Sequence, residues 1–403
     1  MKMIEKGVCA AKGFKANGVH CGIRKNKSKK DLSLIYSEVR ARSAAVYTTN
    51  LVKGAPLIVT KGHLADNMAQ AIICNSGNAN TCNTDGIEMA DKVCRLTADE
   101  LKLEKEDVLV ASTGVIGLPL SIEPFEQGIP GLVAGLGDYS DRAAEAIMTT
   151  DTRPKEVAVS FDIDGIECRI GGIAKGSGMI EPNMATLLVF LTTDCAISTD
   201  LLQKALSNVT EKTFNMVSVD GDTSTNDMAI IMANGMAGNK EIDKEGPAFD
   251  SFVKALYKVN LDLAKMVAAD GEGASKLIEC KVAGALTEAD AKLAAKAVIN
   301  SPLVKTMIFG SDANFGRVLC ALGYSGVKLD PERIDLSFKS KAGQVEVCKA
   351  GYGLDFSEDL AKAVLSEDEI GIDINLNQGQ AEAVAWGCDL TYDYVKINGD
   401  YRT

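Results

Sequence analysis

The segment Lys175-Gly-Ser-Gly-Met-Ile-Glu-Pro-Asn-Met-Ala-Thr186 runs directly into the apolar stretch Leu187-Leu-Val-Phe-Leu191. A glycine-rich turn followed by an unbroken apolar run of this length reads as a loop feeding a strand buried on both faces. The loop delivers the pair Ala185-Thr186 to the mouth of that strand. On the local pattern alone, the simpler reading is that Ala185-Thr186 begins a β-branched, apolar strand. The pair also permits a chemistry. If the Thr186 hydroxyl attacks the carbonyl of Ala185, the peptide becomes an ester that water cleaves, leaving Thr186 as a new chain terminus. Its freed α-amine then lies within reach of its own hydroxyl and can serve as its base.

Composition removes the competing nucleophiles. Only two histidines occur, His20 and His63, and both lie in the first sixth of the 403-residue chain. Neither sits in a motif, so a Ser-His-Asp or Cys-His hydrolase lacks its base. The eleven cysteines form no Cys-x-x-Cys pair and no Cys/His spacing suited to zinc. They read as small buried hydrophobes in a reducing compartment. The formal net charge of −12 argues against a nucleic-acid partner. The dense basic run Arg24-Lys-Asn-Lys-Ser-Lys-Lys30 reads as a solvated loop. Met1-Lys-Met-Ile-Glu-Lys6 lacks a signal peptide's apolar core, and no 18-residue apolar window marks a membrane span. The expected location is the cytoplasm.

Strand and helix signals alternate along the chain without repeats or low-complexity linkers. Gln70–Cys74 reads as a buried strand ending in the turn-rich Asn75–Asn80. A helix follows with Ile87, Ala90 and Cys94 on one face, then a strand Val108–Ala111 that runs into the glycine turn Ser112–Gly117. Phe249, Phe252, Leu256, Val259, Leu263 and Met266 recur at spacings of three and four, the mark of an amphipathic helix. It is followed by the loop Ala269–Ala274 and a strand from Ser275 to Val282. Thr287 with Asp290 suggests a capped helix start. Ile370, Ile372, Ile374 and Leu376 alternate before the turn Asn377–Gln380, and strand pattern continues to Ile397, a hairpin signal. The elements describe a layered α/β protein of mixed sheets. A boundary near residue 285 separates a catalytic domain, 1–285, from a C-terminal domain, 286–403. Gly271-Glu-Gly273 lacks the third glycine of a dinucleotide fingerprint. The Asp220–Asp227 run fails as a calcium loop, with Thr225 and Ile231 where glycine and glutamate are needed.

At the level of motifs the chain resembles the ornithine acetyltransferase family, the bifunctional enzymes of arginine biosynthesis. Lys175–Asp194 resembles that family's self-cleavage segment. Cys74–Asn80, Ser112–Gly117, Met148–Lys155, Ser218–Asp227, Gly310–Arg317 and Asn398–Thr403 resemble further family motifs in the same order. Glu181 is a departure, where a histidine or another residue is common in the family. The resemblance implies an α-β-β-α sandwich of mixed sheets, like that of the N-terminal-nucleophile enzymes, with a smaller C-terminal α/β domain. It implies cleavage between Ala185 and Thr186 into an α chain, 1–185, and a β chain, 186–403. Thr186 would then take the acetyl group of N-acetylornithine and pass it to glutamate in a ping-pong cycle. The oxyanion would be met by the Thr113 hydroxyl and the Gly114 N–H. Thr149, Lys175, Thr186, Glu272, Asn398 and Thr403 would bind substrate, Lys175 meeting a carboxylate and Glu272 the cationic end of ornithine. No resident cofactor or metal is implied; in the bifunctional form, the one expected here, acetyl-CoA is a second acetyl donor. The implied assembly is a heterotetramer of two α and two β chains, without nucleic acid or membrane. A self-processed threonine amidase or aminopeptidase using water as acceptor is the alternative enzyme. A binding protein with Ala185-Thr186 intact is the non-enzymatic one.

Overall fold

The computed structural model describes residues 1–181 and 187–400, so Ala185, Thr186 and Thr403 lie outside the described residues. Nine strands form the first sheet: β1 (Lys2–Ile4), β2 (Phe14–Val19), β3 (Leu32–Tyr47), β4 (Met68–Asn78), β5 (Val108–Val115), β6 (Lys155–Ile163), β7 (Ile166–Lys175), β8 (Leu188–Thr193) and β9 (Met228–Ala233). Six helices belong with it: α1 (Ala55–His63), α2 (Gly86–Leu101), α3 (Glu123–Ala134), α4 (Ser140–Ile147), α5 (Thr199–Lys212) and α6 (Pro247–Ala269).

The sixteen-residue β3 decides the layering. Its first part, Leu32–Tyr36, pairs with β2 and β4. The register to β4 shifts between Tyr36 and Ala41, and Arg42–Tyr47 then pairs with β9. A register break of this kind lets a strand bend out of one sheet plane and into another. The two halves, β2-β3-β4-β5 and β6-β7-β8-β9, thereby face each other. Ile72 and Cys74 of β4 meet Leu188 and Phe190 of β8 and Ile230 and Met232 of β9 in the space between them. The alternate residues Ala71 and Ile73 point outward, to α2 and α3. Val189, Leu191, Ala229 and Ile231 point outward on the other half, to α5 and α6. Helix, sheet, sheet, helix is the sandwich that the resemblance implied. It also explains the apolar runs at 70–74 and 187–191, since strands covered on both faces carry no polar side. Phe190 is wholly buried at its centre, and truncating such a side chain to alanine costs about 3–5 kcal/mol.

The α6 periodicity is realised, with Phe249, Phe252, Leu256, Val259 and Leu263 buried and Met266 half-buried. The face expected for α2 is rotated. Ile87 is exposed, and the buried stripe is Ala90, Val93, Cys94, Thr97 and Ala98. Gly86 packs against Ala55 and Asn80 at the helix entry, so the apolar stripe begins one turn later.

The second sheet contains β10 (Leu277–Ala285), β11 (Asp335–Ser340), β12 (Gly343–Lys349), β13 (Tyr352–Gly353), β14 (Glu369–Asn375) and β15 (Ala381–Cys388), in the order β13-β12-β11-β14-β10-β15. With it come α7 (Glu288–Asn300), α8 (Pro302–Phe309), α9 (Phe315–Gly323), α10 (Glu358–Leu365) and α11 (Tyr392–Asp400). The sheet takes up the chain at Leu277, ahead of residue 285. Its core is continuous with that of the sandwich through α6. The Thr287 side chain accepts the Asp290 N–H at the start of α7, as the spacing suggested.

Two local expectations are corrected. β14 and β15 do not form a hairpin, because β10 lies between them, parallel to β14 and antiparallel to β15. The Asn377–Gln380 turn crosses the end of β10, where Gln378 and Gly379 donate to the Gly284 carbonyl. Nor does strand continue to Ile397: Tyr392–Asp400 is helical and buries none of its residues. Its place is set by contacts with the α6–β10 loop, which local periodicity does not report. No helix among the described residues is long and apolar enough to cross a membrane.

Candidate active site

The parallel strands β4 and β5 end side by side, and both run further than their glycines suggested, to Asn78 and Val115. Their ladder bulges there. Gly77 opposes Gly114, and Asn78 partners both Thr113 and Val115. Gly114 has φ +130°, and a Cβ on it would lie 2.4 Å from the Gly77 carbonyl carbon. Only glycine fits this conformation and this approach. Asn226 clamps the same corner. Its Nδ2 donates to the carbonyls of Ala79 (2.6 Å) and Ser112 (2.9 Å), and its Oδ1 accepts from Thr81 and Thr225. The bulge re-aims Thr113 and Gly114 into a cavity.

Across that cavity β7 ends at Lys175, in register with Leu188 at the start of β8. The glycine-rich segment between them thus leaves the sheet and returns to it beside Lys175. Leu187, the residue bonded to Thr186, lines the cavity, and its carbonyl accepts the Met228 N–H at 3.1 Å. Lys175 is buried. Asp151 faces it from the turn after α4, accepting the Thr149 N–H (2.9 Å), the Gly176 N–H (2.8 Å) and the Lys155 ammonium (2.7 Å). Burial alone would raise the Asp151 pKa, but Lys175 and Lys155 together hold it well below the usual carboxylate range. Asp227, on the other side of Lys175, is fully buried; burial pushes its carboxyl well above the ordinary value, and its Oδ2 has no hydrogen-bond partner among the described residues.

Glu272 enters from the loop after α6. Its N–H donates to the Ser177 carbonyl (3.0 Å), and the Ser177 hydroxyl donates to the Asp270 carbonyl (2.7 Å). Asp270 is held in turn by Lys155 (2.5 Å) and Thr152. A Cβ on Gly178 would sit 2.3 Å from the Glu272 carboxyl carbon, so the Gly-rich segment and Glu272 pack as close as glycine allows. Helix α11 brings the chain end back over this loop. The Asn398 Nδ2 donates to Glu272 Oε2 at 2.7 Å, and the Tyr394 hydroxyl donates to Asp220 Oδ2 at 3.3 Å. Burial, with the charges of Asp220 and Glu272, raises the Tyr394 pKa.

Thr113, Gly114, Thr149, Lys175, Glu272 and Asn398 therefore converge on one cavity of about 150 Å³, although they span 286 positions of sequence. That is room for a small metabolite rather than a polymer. Asp227, Asn226, Thr150, Ile116 and Met179 also line it. Of these, Asn226 and Asp227 sit in the Ser218–Asp227 motif, but nothing in their spacing announced a buried clamp and a buried acid. Both histidines stand elsewhere with backbone partners: His63 Nδ1 with the Val108 carbonyl (2.8 Å), and His20 Nδ1 with the Lys29 carbonyl (3.0 Å). No group of three or more His, Cys, Asp or Glu suited to a metal ion occurs among the described residues.

A model of the ArgJ family matches residues 15–403. This chain belongs to the ArgJ family. A relative named arginine biosynthesis bifunctional protein ArgJ, from Caldanaerobacter subterraneus subsp. tengcongensis, is 53% identical over the full length of both chains. ArgJ 1 of Clostridium acetobutylicum is 52% identical, covering 97% of this chain and 96% of its own. A crystal structure of the Bacillus halodurans ArgJ matches with 48% identity and a TM-score of 0.50, covering 53% of this chain and 98% of that one.

Proposed function

We propose that this ArgJ family chain is an acetyltransferase of arginine biosynthesis that moves acetyl from N2-acetylornithine to glutamate through acetyl-Thr186. The observation that carries the reading is the convergence of Thr113–Gly114, Lys175 and the Glu272–Asn398 pair around the residue that follows Thr186. Each supplies what the reaction needs. After cleavage, the Thr186 α-amine takes the proton of its own hydroxyl as Oγ attacks the acetyl carbonyl. The Thr113 hydroxyl and Gly114 N–H receive the developing oxyanion; preorganised donors of this kind are worth roughly 3–4 kcal/mol each. The protonated α-amine returns its proton to the departing nitrogen of ornithine. The amine of glutamate then attacks the acetyl ester, and Thr186 is regenerated.

Charge placement supports the substrate class. Lys175 offers a cation to an α-carboxylate, and Glu272 offers an anion to the ornithine ammonium. Asn398 braces the Glu272 carboxylate from the C-terminal helix, and Thr149 adds a hydroxyl. Thr403 completes the tail's part in this reading. The length of the solved Bacillus halodurans chain, about half of this one, supports a polypeptide cut near its middle. The bifunctional names of the relatives support acetyl-CoA as a second donor, and the proposed chemistry calls on no resident cofactor. A dimer of processed αβ units in the cytoplasm completes the proposal.

Intact mass of freshly purified protein beside its Thr186→Ala variant tests the central step. Wild type should appear as two pieces, 1–185 and 186–403, and the variant as one uncut chain. A single 42.6 kDa species in both would remove the mechanism. A water-accepting amidase is separated by the acceptor: glutamate accelerates turnover of acetylornithine in a transferase and leaves a hydrolase unchanged.

A further inference from the structure

The basic run 24–30 read as a solvated loop, but its root is built into the rim of the cavity. Asp31, fully buried, accepts the N–H groups of Cys21 (2.6 Å), Gly22 (3.2 Å) and Arg24 (3.0 Å), fixing where the loop leaves the sheet. Arg24 is half-buried, and its guanidinium donates to the carbonyl of Met148, next to the cavity residue Thr149. Its Cγ lies against Gly77, the strand partner of Gly114. From this root the loop carries Lys25, Lys27 and Lys29 outward. All three are exposed, and none makes an ion pair among the described residues. Lys30 at the far end pairs with Glu145. Three lysines in five positions, without counter-charges, stand out on a chain of net charge −12.

Apolar side chains also edge the cavity. Ile116 and Met179 line the cavity while remaining 38% and 43% exposed, and Leu118 continues the strip at 47%. Exposed apolar groups beside a cavity of this size suit a ligand that extends out of it. Acetylornithine and glutamate are too small to use either the strip or the lysines. A coenzyme A thioester uses both, with an uncharged arm behind its acetyl group and three phosphates at the far end.

We propose that Lys25, Lys27 and Lys29 bind the phosphates of an acyl-CoA donor, while Ile116 and Met179 support its arm, so that the loop serves one of the two acetyl donors and not the other. The inference rests on the bifunctional reading above. In the step it assists, Thr186 Oγ attacks the thioester carbonyl and the C–S bond breaks. The acetyl group stays on Oγ, and the hydroxyl proton passes through the α-amine to the departing thiolate, giving free coenzyme A. Point-charge contacts to phosphate in solvent are individually weak and screened by salt, so the loop adds affinity and donor choice rather than chemistry.

The test is Lys25→Glu/Lys27→Glu/Lys29→Glu in the full, self-processed enzyme, with glutamate acetylation measured from acetyl-CoA, from acetylornithine and from the phosphate-free thioester S-acetyl-N-acetylcysteamine. The KM for acetyl-CoA should rise by about tenfold or more. Transfer from acetylornithine and from the phosphate-free thioester should stay within about twofold of wild type, and the acetyl-CoA KM should lose most of its salt dependence. An unchanged acetyl-CoA KM overturns the loop's role while leaving the bifunctional reading in place. Equal losses with all three donors would mean that the loop only supports the fold, and would also overturn it. A wild-type enzyme that uses acetylornithine but neither turns over acetyl-CoA nor binds coenzyme A in calorimetry would remove the bifunctional reading, and this inference with it.

Discussion

Lys155→Met should be among the most damaging single changes outside the cavity, although Lys155 touches no substrate in the proposed reaction. Its ammonium is sealed between two carboxylates, 2.7 Å from Asp151 and 2.5 Å from Asp270, and none of the three side chains is more than 3% exposed. Methionine keeps the length and removes the charge. Breaking a buried ion pair by deleting one partner costs about 3–5 kcal/mol, because an uncompensated charge stays behind. Here two carboxylates are left. Asp151 still accepts the Thr149 and Gly176 N–H groups and still faces Lys175, and Asp270 still holds Thr152. The lower end, about 3 kcal/mol, is therefore expected. Urea unfolding at pH 7 reads this directly as a lower midpoint at unchanged slope. The same measurement against pH checks the cause. Asp151 is held below its unfolded value, so its contribution is present above about pH 4 and is lost as pH falls through the folded value. Without Lys155 much of that depression disappears, so the gap between wild type and variant should hold down to about pH 4 and narrow as the pH falls below it. Adding Asp270→Asn to Lys155→Met should recover part of the loss. A variant within about 1 kcal/mol of wild type at pH 7 would refute the reasoning, as would a gap that does not change with pH.

Other outcomes follow from the same geometry. Thr113→Ala should lower kcat for acetyl transfer by about 10²–10³-fold, with unfolding unchanged, if its hydroxyl meets the oxyanion; steady-state kinetics beside a thermal melt separates the two. Glu272→Gln keeps the shape and the Asn398 contact but removes the anion, so KM for acetylornithine should rise about 10–100-fold, the worth of a hydrogen bond to a charged group. A similar KM in the variant would place the ornithine ammonium elsewhere. Asp227→Asn should stabilise the protein increasingly as pH rises above about 4, because a buried carboxyl with a raised pKa penalises the folded state wherever the unfolded chain would ionise; denaturant midpoints at pH 5 and pH 8 give the sign.

Much of the scaffold was legible in local pattern, and for a clear reason. Periodicity reports how many sides of an element are buried. The runs at 70–74 and 187–191 are apolar throughout because both faces of β4 and β8 are covered, and the three-and-four spacing of α6 reflects one packed face. Thr287 could be read as a cap because capping joins residues three apart. The family resemblance named Thr113, Gly114, Thr149, Lys175, Glu272 and Asn398, and the fold gathers all six at one cavity.

What local pattern does not carry is the identity of a partner distant in sequence. Ile370–Leu376 and the strand after it looked like a hairpin, since alternation specifies a half-buried strand but not its neighbour; β10, almost a hundred residues earlier, occupies that place. Tyr392–Asp400 has no buried face, so its helix is set by what Asn398, Tyr394 and Thr391 touch across the chain. Nothing in the local pattern set Lys155 apart for its place between Asp151 and Asp270, or Asp227 for burial beside Lys175. The sequence by itself determined the elements, the apolar layers and the residue types at the site. Tertiary structure alone decided which charges are buried together, because the desolvation that gives those charges their energies exists only once distant segments have excluded water between them.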